Sequence, residues 1–423
     1  MTGTHAAPRG AEVTGLTCVK CGREYRPDET RYTCHACGIA GILDVRYDYD
    51  RIAGLLGRDD LERSRESTLW RYLPLLPVGD AARLPRLATG WTPLYHARGL
   101  LGLPKLYIKD ESPNPTASLK DRASAVAVAR AMAEGAEAVA AASTGNAGSS
   151  LAGFAAAEGI PCYIFVPRDA PRPKVAQLLV FGATVFAVEG SYDDAFDLAA
   201  EAIAAFGWYN RSCALNPYLV EGKKTVAFEI CEQLGFRAPD KVFVPVGDGC
   251  IMSGTYKGFA EFARLGLVDR MPVLVGVQAE GLSPVKKAFD RGCDVEPCRG
   301  RTCADSIAVG HPRNWRKAIA GVRATDGLMM SVTDEEILAA IPELARATGV
   351  FGEPAGVTAF AGLAKAVREG LVTPDETVVV LMTGSGLKDT KSAMRVAGKP
   401  LHVRRALEDV ERALAGKHGG RAK

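Results

Sequence analysis

The chain has 423 residues, 47% of them apolar and 24% charged, with a mean hydropathy of +0.01, which excludes disordered, fibrous and membrane-embedded classes. Lys and Arg number 52 against 49 Asp and Glu, and this net charge of +3, spread without a basic block, excludes a nucleic-acid footprint. A polar N-terminus without a signal-peptide pattern, and no apolar run near the roughly 20 residues that span a bilayer, lead us to expect a cytoplasmic, non-membrane protein of two or three domains.

Eleven cysteines, an odd number without a secretion signal, argue against a disulfide framework. Four of them form the first motif: Cys18-Val-Lys-Cys21-Gly, twelve intervening residues, then Cys34-His-Ala-Cys37-Gly. Two such knuckles, each with a Gly that lets backbone approach the sulfurs, supply four thiolates for a closed, structural tetrahedral zinc site over residues 1–45. The competing reading is a vestigial ribbon of four reduced cysteines. His35 reads as exposed and incidental.

Ile42 to Tyr49 then reads as a strand and Arg51 to Leu76 as a mostly helical arm. Strand and helix alternate from there on. Strands are expected at Lys105–Lys109, Ala138–Ala142, Cys162–Val166, Thr184–Val188, Lys241–Val246, Val273–Val277 and Thr377–Leu381. Helices are expected at Ser118–Glu134, after Asn146, at Pro173–Phe181, Asp193–Phe206, Ser253–Leu265 and Val403–Ala415, with a disordered tail from Gly416 to Lys423. This order predicts an α/β protein with parallel-rich sheets, whose ligand site lies beyond the carboxyl ends of the strands.

Three loops fall where such a site belongs. In Asn114-Pro-Thr-Ala-Ser-Leu-Lys120-Asp-Arg122, Ser118 suits an N-cap and Lys120 the first helical turn. The positive end of the helix dipole there lowers the cost of a neutral amine, as Schiff-base chemistry requires; alone, such a lysine is more often a solvated surface residue. Ser143-Thr-Gly-Asn146 offers hydroxyls and helix-start N–H groups to a carboxylate, or simply caps a helix. Gly247-Asp-Gly-Cys-Ile251 follows a strand and opens a helix, which suits a phosphate if Asp248 turns its side chain away.

Together with Asn216-Pro, Glu221-Gly-Lys-Lys-Thr225, Thr302-Cys-Ala-Asp-Ser-Ile307, Glu353-Pro-Ala355 and Thr383-Gly-Ser-Gly-Leu-Lys-Asp389, these loops resemble a fold-type II pyridoxal-phosphate enzyme (tryptophan synthase β-like), most closely the threonine synthases. The resemblance implies the cofactor attached at Lys120, Asn146 on its ring oxygen and Gly247, Asp248, Gly249, Cys250 and Ile251 around its phosphate. It also implies Thr383 at the ring nitrogen, and Ser143 and Thr144 on the carboxylate of a small amino-acid substrate. It implies a large lobe (46–129 and 222–400), a small mobile lobe (130–221), a C-terminal helix and tail (401–423) and a homodimer, which the 51–76 arm could reach.

The implied activity is conversion of O-phosphohomoserine and water to threonine and phosphate. The chain departs from the family pattern where substrate phosphate is held. Cys213, Ala214 and Leu219 replace polar or basic positions, and Ala308 stands where Arg often follows. Losing a buried guanidinium from such a site removes on the order of 2–5 kcal/mol. Lys174 remains at a family lysine position, and Arg172 is a candidate compensating cation. Two alternatives follow: β-elimination or β-replacement on serine, threonine or an O-activated hydroxyamino acid, and a non-catalytic zinc-ribbon protein that binds the cofactor.

Overall fold

A computed structural model describes residues 12–79, 83–170, 172–213 and 215–419. Pro171, Ala214 and the last four residues of the Gly416–Lys423 tail lie outside the described residues. The rest of that tail, 416–419, ends the Leu407–Gly419 helix and is not the disordered segment expected.

The chain opens with a three-stranded antiparallel sheet in the order β2-β1-β3, built from β1 (Val13–Cys18), β2 (Glu24–Tyr25) and β3 (Leu43–Tyr47). In β3, Leu43, Val45 and Tyr47 point inward and alternate with Asp44 and Arg46, the period of a strand with one buried face. The strand stops short of Tyr49 because Asp48 accepts the Arg51 N–H at 3.0 Å and caps a short helix, Tyr49–Ala53. Gly22 and Gly38 serve left-handed turns and have open space around them, so the close approach expected of them is not theirs. Gly41 makes it: a Cβ there would lie 2.5 Å from Cys37 Cβ and 2.7 Å from Cys34 Cβ.

The expected helical arm is a correction. Residues 51–76 hold only Arg58–Arg63 and a short 3-10 stretch, Leu69–Leu75, besides the end of the Tyr49–Ala53 helix. Leu69, Tyr72, Leu75 and Leu76 are fully buried, and Tyr72 packs on Phe228 and Phe262 of the chain's own body. An apolar face spent on the protein's own core is not an arm held out to a partner.

Beyond it, β4 (Leu94–His96) and β5 (Leu106–Asp110) precede four short strands, β6 (Val139–Ala142), β7 (Cys162–Pro167), β8 (Thr184–Val188) and β9 (Tyr209–Asn210). These four make a parallel sheet in the order β8-β7-β6-β9. The chain then adds β10 (Lys241–Pro245), β11 (Val273–Ala279), β12 (Leu328–Val332) and β13 (Val378–Met382), giving a six-stranded sheet β12-β11-β10-β13-β5-β4. All of its pairings are parallel except β4 with β5. Its central strand β13 is buried throughout, hence the unbroken apolar run Val-Val-Val-Leu-Met. Residues 130 and 221 both fall inside helices, Lys120–Ala133 and Tyr218–Gln233.

Two networks of buried charge fix these parts to one another. Arg122, one turn into its helix, is fully buried between Glu111, just after β5, and Glu229. Its Nε and Nη2 donate to the two oxygens of Glu111 at 2.7 Å each, and Nη2 also to Glu229 Oε2 at 2.8 Å. Nη1 donates to Glu229 Oε1 and, at 2.8 Å, to Thr225 Oγ1. Lys109 reaches Glu229 at 2.7 Å from the other side. The second network ties the N-terminal sheet down: Asp44 meets Lys317 at 2.8 Å, and Tyr47 donates to Glu221 Oε2 at 3.0 Å. Glu221 in turn meets Lys224 at 2.6 Å and Lys257 at 2.8 Å.

Removing one partner of a buried pair leaves the others uncompensated, at a cost of about 3–5 kcal/mol. Arg122→Met should therefore lower unfolding free energy by about that much in urea, while Arg168→Met, which breaks an exposed pair with Glu189, should change it by less than about 1 kcal/mol. Equal effects would deny Arg122 its role. Although burial acts against it, the charges of Arg122 and Lys109 hold the Glu229 carboxyl down at about 2. That stabilisation is complete above the unfolded value of about 4.3 and is lost as pH falls toward 2, so the variant should unfold at higher pH in an acid titration.

Candidate active site

The loops that follow β5, β6, β10 and β13 leave the carboxyl ends of parallel strands in the two sheets. Three of them wall a cavity of about 900 Å³, which Lys120, Ser143, Thr144, Asn146, Lys174 and the whole Gly247–Ile251 turn line together. Thr383, after β13, is buried but is not on the cavity surface; its carbonyl accepts the Leu119 N–H at 2.9 Å. Arg172 lines a separate, apolar groove of about 370 Å³ with Val166, Leu179 and Val185, so it is not the compensating cation expected. Leu219 is fully buried and off the cavity, whereas Ala308 lies on its wall.

Lys120 opens its helix as the first helical residue. Ser118 does not cap it: paired across an antiparallel bridge with Gly384, it points its hydroxyl into a buried spot without a partner, and Leu119 takes the cap position. Among the described residues no hydrogen bond reaches Lys120 Nζ. Burial first, and the Lys223 ammonium second, push its amine down to about 8. An amine lowered that far is partly neutral near physiological pH, as a nucleophilic or proton-abstracting amine must be.

The Gly247–Ile251 turn is built for close approach. Gly249 has φ +97°, and a Cβ on it would lie 2.9 Å from Asn314 O; one on Gly247 would lie 2.9 Å from Ile307 Cα. The first helical bond after the turn is Ser253 N–H to Gly249 O at 3.0 Å, so the N–H groups of Cys250, Ile251 and Met252 have no intrahelical acceptor. Asp248 lines the cavity with its carboxylate engaged by the protein, Oδ1 accepting the Arg313 N–H at 2.7 Å and Oδ2 lying 3.1 Å from Cys250 Sγ. This turn fits a phosphate held by backbone N–H groups at a helix start.

Ser143 Oγ accepts the N–H groups of Gly145 and Gly148 at 3.3 and 3.1 Å, which leaves its own proton free to donate. Asn146 Nδ2 donates to Glu353 Oε1 at 2.6 Å. Burial raises the Glu353 carboxyl above its ordinary value against the pull of the Lys120 charge. Glu353 sits in a motif quoted above but drew no role from sequence; a Glu at the cap position before Pro354 reads as a helix start and hides its reach to Asn146. Lys174 is not free, since it ion-pairs with Asp305 across the cavity. Arg211 and Lys223, both on the wall, carry no role in the sequence reading, because a basic residue by itself looks like surface even inside a quoted motif.

The four cysteines of the N-terminal sheet converge: their sulfurs all lie within 4.8 Å of one another, Cys21 and Cys34 at 3.7 Å. Four thiolates about 2.3 Å from a tetrahedral ion stand about 3.8 Å apart, so the set suits such an ion. His35 is exposed and outside the set.

Residues 85–384 match the family described as pyridoxal-phosphate dependent enzyme. A threonine synthase of Methanocaldococcus jannaschii is 41% identical over 403 residues, spanning 94% of this chain and 98% of that one. A threonine synthase of Methanosarcina acetivorans is 41% identical over 411 residues, with 95% and 99% covered. Among solved structures, a processed threonine deaminase isoform of Solanum lycopersicum superposes with a TM-score of 0.64 at 23% identity, covering 78% of this chain and 92% of that one. Maize serine racemase gives 0.61 at 22%, covering 72% and 91%. At those identities the structures establish the shared fold, that of fold-type II enzymes, and the chain belongs, on its sequence relatives and family match, to the threonine synthase family of pyridoxal-phosphate-dependent enzymes.

Proposed function

We propose that the cavity holds pyridoxal phosphate attached at Lys120 and that the protein is a threonine synthase, turning O-phosphohomoserine and water into threonine and phosphate. The observation that carries this is the pairing, in one cavity, of an amine lowered to about 8 with a glycine turn that opens a helix and has its carboxylate engaged by the Arg313 N–H. The bound cofactor supplies an electron sink for a carbanion at the amino acid's Cα. Lys120, whose amine is lowered, would take the Cα proton as a neutral base. Ser143, Thr144 and the helix-start N–H groups bind the substrate carboxylate. Asn146, aimed by Glu353, addresses the ring oxygen; the family resemblance assigns Thr383 to the ring nitrogen, although it lies behind the cavity wall here. Gly247, Asp248, Gly249, Cys250 and Ile251 contribute backbone to the cofactor phosphate.

Residues 130–221 act as the small lobe that closes over substrate. Lys174 comes from that segment and Asp305 from the rest, so an anionic substrate group competes with Asp305 for the Lys174 ammonium. The apolar wall at Ala308 and the withdrawal of Leu219 favour a second reading, β-elimination or β-replacement on serine, threonine or an O-activated hydroxyamino acid. We further assign zinc to Cys18, Cys21, Cys34 and Cys37, on the convergence of their sulfurs, and a homodimer in the cytoplasm. The exposed Leu407, Val410 and Leu414 on one face of the last helix support a contact between copies.

With O-phosphohomoserine the purified protein should release phosphate and threonine in equal amounts, and Lys120→Ala should lower turnover by about 10²–10⁴-fold or more. No phosphate release, with keto acid formed from serine or threonine, would replace this reading by the second. Capture of added pyridoxal phosphate by the cofactor-free protein, followed by borohydride fixation on Lys120, should rise with pH through about 8, where the amine loses its proton. Elemental analysis should find one zinc per chain, lost in a Cys18→Ser/Cys34→Ser variant; metal retained by that variant would refute the ligand set.

A further inference from the structure

Lys223 differs from the other deeply buried lysines of this chain. Lys109 meets Glu229, Lys224 meets Glu221 and Glu261, and Lys257 meets Glu221. Lys223, 2% exposed on the cavity wall, lies within ion-pair distance of no carboxylate among the described residues; its Nζ donates to Cys213 Sγ at 3.0 Å. A buried ammonium needs an anion, and a thiol is a poor one unless it ionises. Arg211 leans the same way, with Nη1 3.9 Å from that sulfur while Nε and Nη2 hold Ser124 Oγ at 3.2 Å and Nη2 the Lys120 carbonyl at 3.2 Å.

This pair of cations stands beside the glycine turn. A Cβ on Gly254, in the helix that the turn opens, would lie 3.0 Å from Lys223 Cβ, and Cys250 Sγ lies 3.6 Å from the Cys213 carbonyl. The charged and titratable groups facing Cys213 are thus Lys223 and Arg211 from its own side, Cys250 with Asp248 behind it from the turn, and Lys120. The Cys250 thiol, then the charges of Lys223 and Arg211, hold the Cys213 thiol well below its ordinary value, and the same sulfur keeps Lys223 protonated against its burial.

We propose that Lys223 is the counter-cation for a phosphate monoester dianion bound in this cavity, and that the Cys213 thiolate is a place-holder that keeps its ammonium in position until the phosphate arrives. The inference rests on reading the cavity as a cofactor and substrate site. It also accounts for a chain that has apolar residues at Leu219 and Ala308, where cations were expected: the positive charge enters from the next helical turn. Two phosphates qualify, that of the cofactor and that of the substrate.

The test follows the pH midpoint of iodoacetamide alkylation at Cys213, read by peptide mass spectrometry on the cofactor-free protein, with and without inorganic phosphate, pyridoxal phosphate and pyridoxal. The midpoint should lie below that of an ordinary thiol and rise when inorganic phosphate draws Lys223 away. A rise with pyridoxal phosphate but not pyridoxal assigns the cofactor's phosphate. A rise in the loaded enzyme with O-phosphohomoserine but not homoserine assigns the substrate's. Lys223→Gln should weaken the phosphate-bearing member of the responding pair by about 10–100-fold, the worth of one charge-assisted hydrogen bond, and leave its phosphate-free counterpart unchanged. If that variant does not fold, Cys213→Ser, which frees Lys223, should bind inorganic phosphate several-fold more tightly. A midpoint indifferent to every phosphate, equal losses for both members of a pair, or weaker phosphate binding by Cys213→Ser would overturn the proposal. None of these readouts depends on threonine formation, so they stand apart from the assay of the reaction itself.

Discussion

The site depends on one guanidinium. Arg122 sits two residues after Lys120, and its donors are divided between carboxylates from two directions, Glu111 at the end of β5 and Glu229 on the Tyr218–Gln233 helix. The loop between Glu111 and Lys120 is irregular, with Ala117 at φ +63°. It is held by polar contacts: Asn114 donates to Glu111, and both the N–H and the hydroxyl of Thr116 go to Asp121. An amine can be kept short of its proton only if its surroundings cannot rearrange to solvate it. A planar, fully used fork two residues away provides that rigidity, which a lysine, with its point charge, would not.

The architecture was legible where burial makes its own pattern. Strands covered on both faces, such as β10, β11 and β13, are runs of β-branched and apolar residues, and the parallel order follows from their alternation with helices. Leu328–Val332 escaped notice because Met, Met and Ser lack the β-branching that marks a strand. The 51–76 segment misled for the opposite reason: its leucines, tyrosine and tryptophan are spaced loosely enough to look helical, but they follow the contour of the core they cover. The three site loops could be found because glycine, serine and a helix-start lysine leave a mark in sequence. The burial of Lys109, Arg122, Lys223 and Lys224 leaves none, even where a motif contains them, since a charged residue buried in a network has the same letter as one in solvent.

Charge neutrality here is therefore local as much as global. The carboxylates at Glu111, Glu221, Glu229 and Glu261 are each matched inside the protein, so the small surplus of positive charge says little about the surface and more about what remains unmatched within. At the cavity wall Lys174 is matched by Asp305, whereas Lys223 leans on a sulfur. A protein that handles phosphate esters must keep cations available without letting them collapse onto carboxylates. A weak anion beside one of them meets that requirement.

The Tyr218–Gln233 helix serves three masters in little more than two turns. Glu221 grips the N-terminal sheet through Tyr47, Lys223 faces the cavity and Glu229 holds the fork on Arg122. Successive residues on a helix are rotated by about 100°, so a single inserted or deleted residue between positions 221 and 229 would turn the downstream contacts away from partners that cannot follow. A substitution on this helix disturbs one contact at a time; a change of length disturbs all that follow it. When chains of this kind diverge or are recombined, this helix is the segment whose length must be inherited intact, while crossover points belong in the exposed loops.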